Sequence, residues 1–162
     1  MGNIKARMRM IYLYNLASKN HGMVLSTDNW TEYLLGFWTL NGDVGSYGMI
    51  QELWKTEVYS MAEWMVAHDF FVYNFNGVIA LNSCIFCNAT DGLGITNSDL
   101  DQIMPDWEGS SRDGYEIVDN KLSKLILFDE GQLDDAIYKR HIATEFKRKV
   151  PVNIKREIIF KN

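Results

Sequence analysis

Apolar and polar positions change rhythm several times along this chain. Residues 4–18 predict a helix whose second half is apolar on most sides (Met10, Ile11, Tyr12, Leu13, Leu16, Ala17), as expected of a helix that is buried or lies at an interface. Gly22 ends it, and 23–25 is a candidate for a short buried strand. The run Ser26-Thr27-Asp28-Asn29 is rich in capping side chains. It introduces a second helix over 30–39, with Tyr33, Leu34, Phe37 and Trp38 as its apolar set. Residues 41–48 hold three glycines, so neither a helix nor a strand is expected to cross them. The clearest stripe follows. Val58, Met61, Ala62 and Met65 recur at i, i+3, i+4 and i+7 and predict a third helix over 55–67.

The second half is less regular. Residues 69–82 fit a loop or a short hairpin around Asn76-Gly77, and Asp91-Gly92-Leu93-Gly94 reads as a turn. Residues 98–104 predict a short helix capped by Ser98. Two longer helices are expected over 113–128 and 132–149, separated by Glu130-Gly131, with Pro151 stopping the second. Five or six helices and one to three short strands, in strand–loop–helix order, point to part of an α/β layer structure in one domain spanning 1–162.

Composition narrows the class. With 47% hydrophobic and 13% aromatic residues in 162, the chain is globular and long enough for a real core. A net charge of −5 gives no support for non-specific nucleic-acid binding. The exception is the stretch 139–161, where Lys139, Arg140, Lys147, Arg148, Lys149, Lys155, Arg156 and Lys161 face only Glu145 and Glu157. Such a cluster is either a solvated tail or a surface for anionic groups such as phosphates. No apolar run approaches the ~20 residues of a membrane span. Residues 1–9 lead into no signal-peptide core, so a cytoplasmic location is expected. Cys84 and Cys87 form a CxxC, which taken alone is a redox pair or half a zinc site. The histidines (His21, His68, His141) have no ligand spacing. We read the cysteines as two small apolar residues in a buried segment, 79–87.

Four segments, in order, carry a resemblance. Gly2-Asn3-Ile4-Lys5-Ala6-Arg7-Met8-Arg9-Met10 matches a GNIxARxRM pattern. Val24-Leu25-Ser26-Thr27-Asp28-Asn29-Trp30-Thr31-Glu32, with Gly36-Phe37 beyond, is close to GTDxxE followed by GF. Gly42-Asp43 and then Leu53-Trp54-Lys55-Thr56-Glu57-Val58-Tyr59 are similar to GD…LxKTxVYxLA. Thr144-Glu145-Phe146-Lys147-Arg148-Lys149-Val150-Pro151 matches a closing T-E-x-K-R-x-x-P. Ala89-Thr90-Asp91-Gly92-Leu93 fits a further turn of the same kind. Each motif is weak alone, but the shared order and spacing over almost the whole chain are specific. The chain resembles the carboxy-terminal portion of ammonia-dependent NAD synthetases of the PP-loop (N-type ATP pyrophosphatase) superfamily. The fold this implies is a truncated adenine-nucleotide alpha-hydrolase-like, Rossmann-like layer, mostly helical with few parallel strands.

That family joins ammonia to deamido-NAD. ATP adenylates the nicotinate carboxylate, and ammonia then displaces AMP. Two polyanions must be brought together, which calls for Mg²⁺ and cationic side chains. The resemblance implies a Mg²⁺ ligand at Glu32, although Asn29-x-x-Glu32 also has the form of a capping box. It implies ATP contacts at Thr27, Lys55 and Thr90. Thr27 alternatively caps a helix, and Lys55 is alternatively a solvated lysine, though a cation in a helix's first turn opposes the dipole and calls for an anion. Deamido-NAD contacts are implied at Arg7 and Lys147, which otherwise read as a solvated helix residue and part of the basic tail. Asp43 matches an aspartate near the reacting carboxylate and ammonia, and otherwise reads as a turn residue.

The departures bear on catalysis. No SGGxDS string, the family's loop around the ATP phosphates, occurs in the chain. Met1 directly precedes the GNIxAR segment, so roughly the first half of a full-length synthetase is expected to be missing. Leu40 stands where the family has a lysine, and Phe146 where it has a histidine. A second aspartate has no clear equivalent near Ser46-Tyr47, and the stretch from Gly42 to Lys55 is one residue short. Three functions are therefore expected to compete. One is an enzyme half that needs a partner chain carrying the PP-loop; a homodimer is the other expected association, stabilising the fragment, with the helix over 4–18 as the interface candidate. Another is a catalytically inactive, synthetase-derived binding or interaction protein. The third is a thiol redox module on Cys84 and Cys87.

Overall fold

A computed structural model describes residues 2–68, 75–90, 96–128 and 135–149. Helix α1 runs Gly2–Lys19. Ala6 is its buried residue, while Ile4, Met8, Ile11, Tyr12, Leu13 and Leu16 are all exposed. Strand β1 is Leu25–Ser26, and it pairs in parallel with β2, Tyr47–Gly48, in the register Leu25↔Tyr47 and Ser26↔Gly48. Two expectations need correction here. The strand predicted at 23–25 is displaced and not buried: Met23 and Leu25 are 64% and 54% exposed, and Ser26 is the buried residue. A strand does enter 41–48, because Gly45 lets the chain pass so close to β1 that a Cβ there would lie 2.4 Å from the Ser26 nitrogen.

Helix α2, Trp30–Leu35, is opened by a complete capping box between Asn29 and Glu32. It stops short of the predicted 39. Gly36 turns left-handed at φ 63, and a Cβ on it would meet the Thr144 Cβ at 2.6 Å. Helix α3, Lys55–Ala67, has the predicted bounds. Helix α4, Phe75–Phe86, replaces the loop or hairpin expected over 69–82, of which 69–74 lie outside the described residues. Asn76 and Gly77 fall in its first turn, where N–H groups lack intrahelical partners in any case, so poor helix formers are tolerated. The apolar run after them packs on α3.

A 3₁₀ turn, Asp99–Gln102, is capped by Ser98 as its spacing predicts. Helix α5, Ser111–Phe128, is followed by α6, Ala136–Ala143, and α7, Glu145–Arg148. The single helix expected over 132–149 is thus interrupted at Thr144. Its hydroxyl bonds back to the Arg140 carbonyl at 2.9 Å, in competition with the backbone. The turn predicted at 91–94 lies outside the described residues.

The core joins Leu34 and Leu35 of α2, Tyr59 of α3, Leu100 and Ile103, Tyr115, Val118 and Leu122 of α5, and Ile137 of α6. Helix α5 is its axis, packing on α2, α3, α6 and the 3₁₀ turn. The architecture is mostly helical with one small parallel sheet, a truncated Rossmann-like α/β fold. No helix among the described residues is long and apolar enough to cross a membrane.

Candidate functional site

The site begins with how α3 starts. Its N-cap residue is Trp54, whose side chain makes no capping bond, so other elements satisfy the first N–H groups. Thr31 of α2 accepts from the Lys55 nitrogen at 2.9 Å. Asp119 of α5 accepts from the Thr56 nitrogen at 2.9 Å and from the Thr31 hydroxyl at 2.5 Å. Asp119 is 7% exposed and Thr31 wholly buried. Burial pushes the Asp119 carboxyl above its ordinary range, while the bonds from Thr31 and Thr56 pull the other way. A carboxylate from the middle of α5 therefore fixes where α3, and Lys55 with it, begins.

Lys55 points back to α2, where its Nζ meets Glu32 Oε1 at 2.7 Å. Both side chains are largely buried, at 17% and 15% exposure. Burial lowers the Lys55 pKa, but the charge and hydrogen bond of Glu32, with Tyr59 and Asp99, together outweigh it and the ammonium titrates above its ordinary value. The cation in α3's first turn thus has its anion in Glu32. The other Glu32 oxygen accepts from the Asn29 nitrogen at 3.1 Å, so this residue caps α2 with one oxygen and pairs with Lys55 through the other.

Next to this pair lies Asp28, its carboxylate bonded by the Ser26 hydroxyl at 2.9 Å. Burial, with added repulsion from Glu32 and Asp43, raises it to about 6 against the pull of Ser26 and Lys55. Asp43 is itself exposed and accepts from the Thr39 nitrogen at 2.6 Å, closing the turn 39–43. Two cations grip the same loop. Arg7 of α1 donates to the Leu40 carbonyl at 3.3 and 3.2 Å. Lys147 of α7 donates to the carbonyls of Gly36 at 2.6 Å and Trp38 at 2.5 Å, over the Trp38 ring. Burial and Arg140 push the Lys147 pKa down, and Asp43 pulls it back.

The expected residues therefore fall into two adjoining groups, Glu32 with Lys55, and Arg7, Asp43 and Lys147 around residues 36–43. Asp28 lies within electrostatic reach of Glu32, Lys55 and Asp43. Thr27 is exposed and does not cap α2, since Asn29 does. Thr90 is exposed beyond the exit of α4. A cavity of about 230 Å³ adjoins Lys55, with Val58, Tyr59, Ile85 and Ala89 in its wall. Cys84 and Cys87 line it too, and both are exposed free thiols. The reading of this pair as buried apolar residues is thereby corrected: Ile85 takes the buried face of α4 and the cysteines flank it.

Among the described residues, no group of three or more His, Cys, Asp or Glu side chains is placed to hold a metal ion. Glu32 alone fits only a magnesium ion that draws its remaining ligands from phosphates and water, as magnesium commonly does.

Several residues at the site were not singled out by sequence. Asp119 and Thr31 are 88 positions apart, so no local pattern pairs them. Arg140, His141 and Arg148 all reach the last carbonyls of α2. Arg140 bonds Leu35 at 3.0 Å and lies over the Phe37 ring; His141 Nδ1 and Arg148 both bond Leu34. The basic cluster at 139–161 had flagged the two arginines only as anion-binding or solvated. Cations over a helix C-terminus complement its dipole.

Comparison with known proteins follows the same lines. The sequence model of the NAD synthase family matches residues 1–155. An NH(3)-dependent NAD(+) synthetase of Wolinella succinogenes is 31% identical, over 93% of this chain and 55% of that protein. One from Thermoplasma acidophilum is 34% identical over 96% and 58%. The chain spans about half the length of these curated relatives. Among solved structures, an NMN synthetase from Francisella tularensis superposes with a TM-score of 0.64 at 21% identity, covering 95% of this chain and 56% of that one. An NH3-dependent NAD synthetase from Campylobacter jejuni superposes with 0.54 at 23%, covering 95% and 54%. These two likenesses concern the fold.

Proposed function

Because the chain belongs to the NAD synthase family, we propose that it contributes the dinucleotide-binding side of an ATP-dependent amidation of deamido-NAD by ammonia. A partner chain supplies the phosphate-gripping loop, which this sequence does not contain. The observation that carries this reading is the grouping of Arg7, Glu32, Asp43, Lys55 and Lys147 around the start of α2, the turn 36–43 and the first turn of α3.

In this reading Lys55 meets the nucleotide phosphates, exchanging part of its Glu32 contact for them. Glu32 would then hold Mg²⁺ together with those phosphates; the ion would neutralise charge building on the transferred group. Thr27 and Thr90 contact ATP from the two loops that flank Lys55. Arg7 and Lys147 meet the anionic deamido-NAD beside the turn, and Asp43 faces its reacting end. Deamido-NAD and ammonia are thus the substrates, with ATP and Mg²⁺ required. The exposed apolar side chains of α1 are the contact surface for the partner or second copy, since so large an apolar surface is disfavoured in water.

One observation favours a second reading. The Lys147 ammonium is spent on two backbone carbonyls and the Arg7 guanidinium on a third. Those bonds suit a synthetase-derived scaffold that binds or pairs without catalysing. Reconstitution separates the two. The chain is mixed with a polypeptide carrying SGGxDS and supplied with ATP, Mg²⁺, ammonia and deamido-NAD. NAD formation that collapses in Lys55→Met supports the enzyme half. Complex formation with no NAD supports the scaffold.

A further inference from the structure

The dithiol in the wall of the Lys55 cavity is the feature that the proposed reaction leaves unused. Cys84 sits in the last turn of α4 and Cys87 immediately after it. The Cys87 nitrogen still bonds the Ser83 carbonyl at 3.1 Å, so Cys87 keeps the helical position one turn beyond Cys84. Residues so spaced have Cα atoms about 5 Å apart, inside the range that a disulfide spans. The Cys87 sulfur already turns back on this step, contacting the Cys84 carbonyl at 3.2 Å. Both thiols are exposed and open to reagents. Lys55 and Tyr59 line the same cavity.

The chain beyond Cys87 is tied down. The Asn88 side chain accepts from the Ser111 hydroxyl at 3.2 Å, and the Ala89 carbonyl accepts from the Asp99 nitrogen at 2.9 Å. Ala89 is itself part of the cavity wall. Helical geometry brings the two Cα atoms within range but leaves their Cβ atoms about 5–6 Å apart, against about 3.5–4.5 Å in a disulfide, so forming an S–S bond distorts the last turn of α4. The strain passes to Asn88 and Ala89 because their other contacts hold them.

We propose that Cys84 and Cys87 form a reversible disulfide that reshapes the cavity beside Lys55, making it a thiol-redox site. The oxidant is a small-molecule disulfide such as oxidised glutathione. One cysteine, as thiolate, attacks a sulfur of the reagent, giving a mixed disulfide and releasing one thiol. The second cysteine, as thiolate, displaces the other thiol and closes the Cys84–Cys87 bond. Two protein S–H bonds are lost and one S–S bond is made. The reagent's S–S bond is replaced by two S–H bonds, and two electrons pass from protein to reagent.

The test uses the full chain equilibrated in glutathione buffers of stepped oxidation. Thiol alkylation and intact mass should show a species lighter by two hydrogens, carrying no glutathione and protected at both cysteines. Cys84→Ser and Cys87→Ser should each instead retain a glutathione adduct. Competitive amine labelling then reads the cavity. Lys55 reactivity, normalised to Lys121, should change several-fold on oxidation and stay constant in the double serine variant. Absence of the intramolecular disulfide at every poise overturns the proposal. So does a disulfide that forms while Lys55 labelling is unchanged. Neither readout depends on NAD synthesis, so failure here is separate from failure of the proposed reaction.

Discussion

Replacing Asp119 by alanine should be the most damaging single polar change in the fold. Its carboxylate is the acceptor for the Thr31 hydroxyl and the Thr56 nitrogen, and it lies 7% exposed among core residues of α5. Each donor left unsatisfied in a buried setting costs about 1–3 kcal/mol. Thr31 is wholly buried and falls at the upper end. Thr56, on a helix's first turn, recovers some loss from water. The variant also escapes the cost of burying a charge, which the upward displacement of the Asp119 pKa reveals. Together these place the loss at about 2–4 kcal/mol. Urea unfolding followed by circular dichroism would show the midpoint falling by about 1 M or more, given slopes of about 1–3 kcal/mol per molar urea. Asn120→Ala, exposed on the next position, should stay within about 0.5 kcal/mol of native. Thr31→Val combined with Asp119→Ala should cost clearly less than the sum of the two, because either removal breaks the shared bond. An Asp119→Ala chain unfolding within about 0.5 kcal/mol of native would refute the claim that this carboxylate anchors α3.

Further outcomes are expected elsewhere. Asp28, with its folded pKa near 6 against an ordinary 3.8, binds its proton more tightly when folded; it favours the fold below pH 3.8 and loses that contribution as pH rises through 6. The stability of Asp28→Asn relative to native should therefore climb between those pH values and level off above, by at most about 3 kcal/mol, and less with screening at this partly exposed group. A flat difference across that window in urea titrations would contradict the stated charge environment. Gly36→Ala, forced into left-handed backbone and against Thr144, should cost about 2 kcal/mol or more by thermal unfolding; a neutral result would mean the α2–α7 approach is looser than described. In a cycle of Lys55→Met and Glu32→Gln, the coupling should be about 1–2 kcal/mol, with little response to salt; a coupling that vanished at high salt would mark the pair as solvent-exposed.

The sequence was most legible where local chemistry decides structure. The i, i+3, i+4, i+7 stripe delimited α3, the Asn29–Glu32 spacing was that of the capping box found, and Ser98 caps its turn. It was least legible where distant contacts decide. The end of α2 is set by Gly36 against Thr144, and the break between α6 and α7 by the same threonine turning back on Arg140. Neither leaves a periodic trace. Helix α4 was missed because Asn76-Gly77 has the composition of a turn, yet costs little at a helix start. The cysteines were misplaced with it: of the apolar segment read as wholly buried, Ile85 alone is fully buried. At the site, motif order picked out the residues of both groups. It gave no sign of Asp119, which holds α3 from far along the chain, nor that Arg7 and Lys147 would be bonded to backbone carbonyls.

The proposed reaction requires Arg7 and Lys147 to contact deamido-NAD beside the turn 36–43. Titration calorimetry of the intact chain with deamido-NAD, and separately with Mg-ATP, tests this most directly. The account predicts saturable binding of deamido-NAD, weakened at least tenfold, about 1.4 kcal/mol, in both Arg7→Met and Lys147→Met, and much weaker binding of Mg-ATP by a chain without an SGGxDS loop. Absence of deamido-NAD binding, or affinity untouched by both substitutions in folded variants, would contradict it.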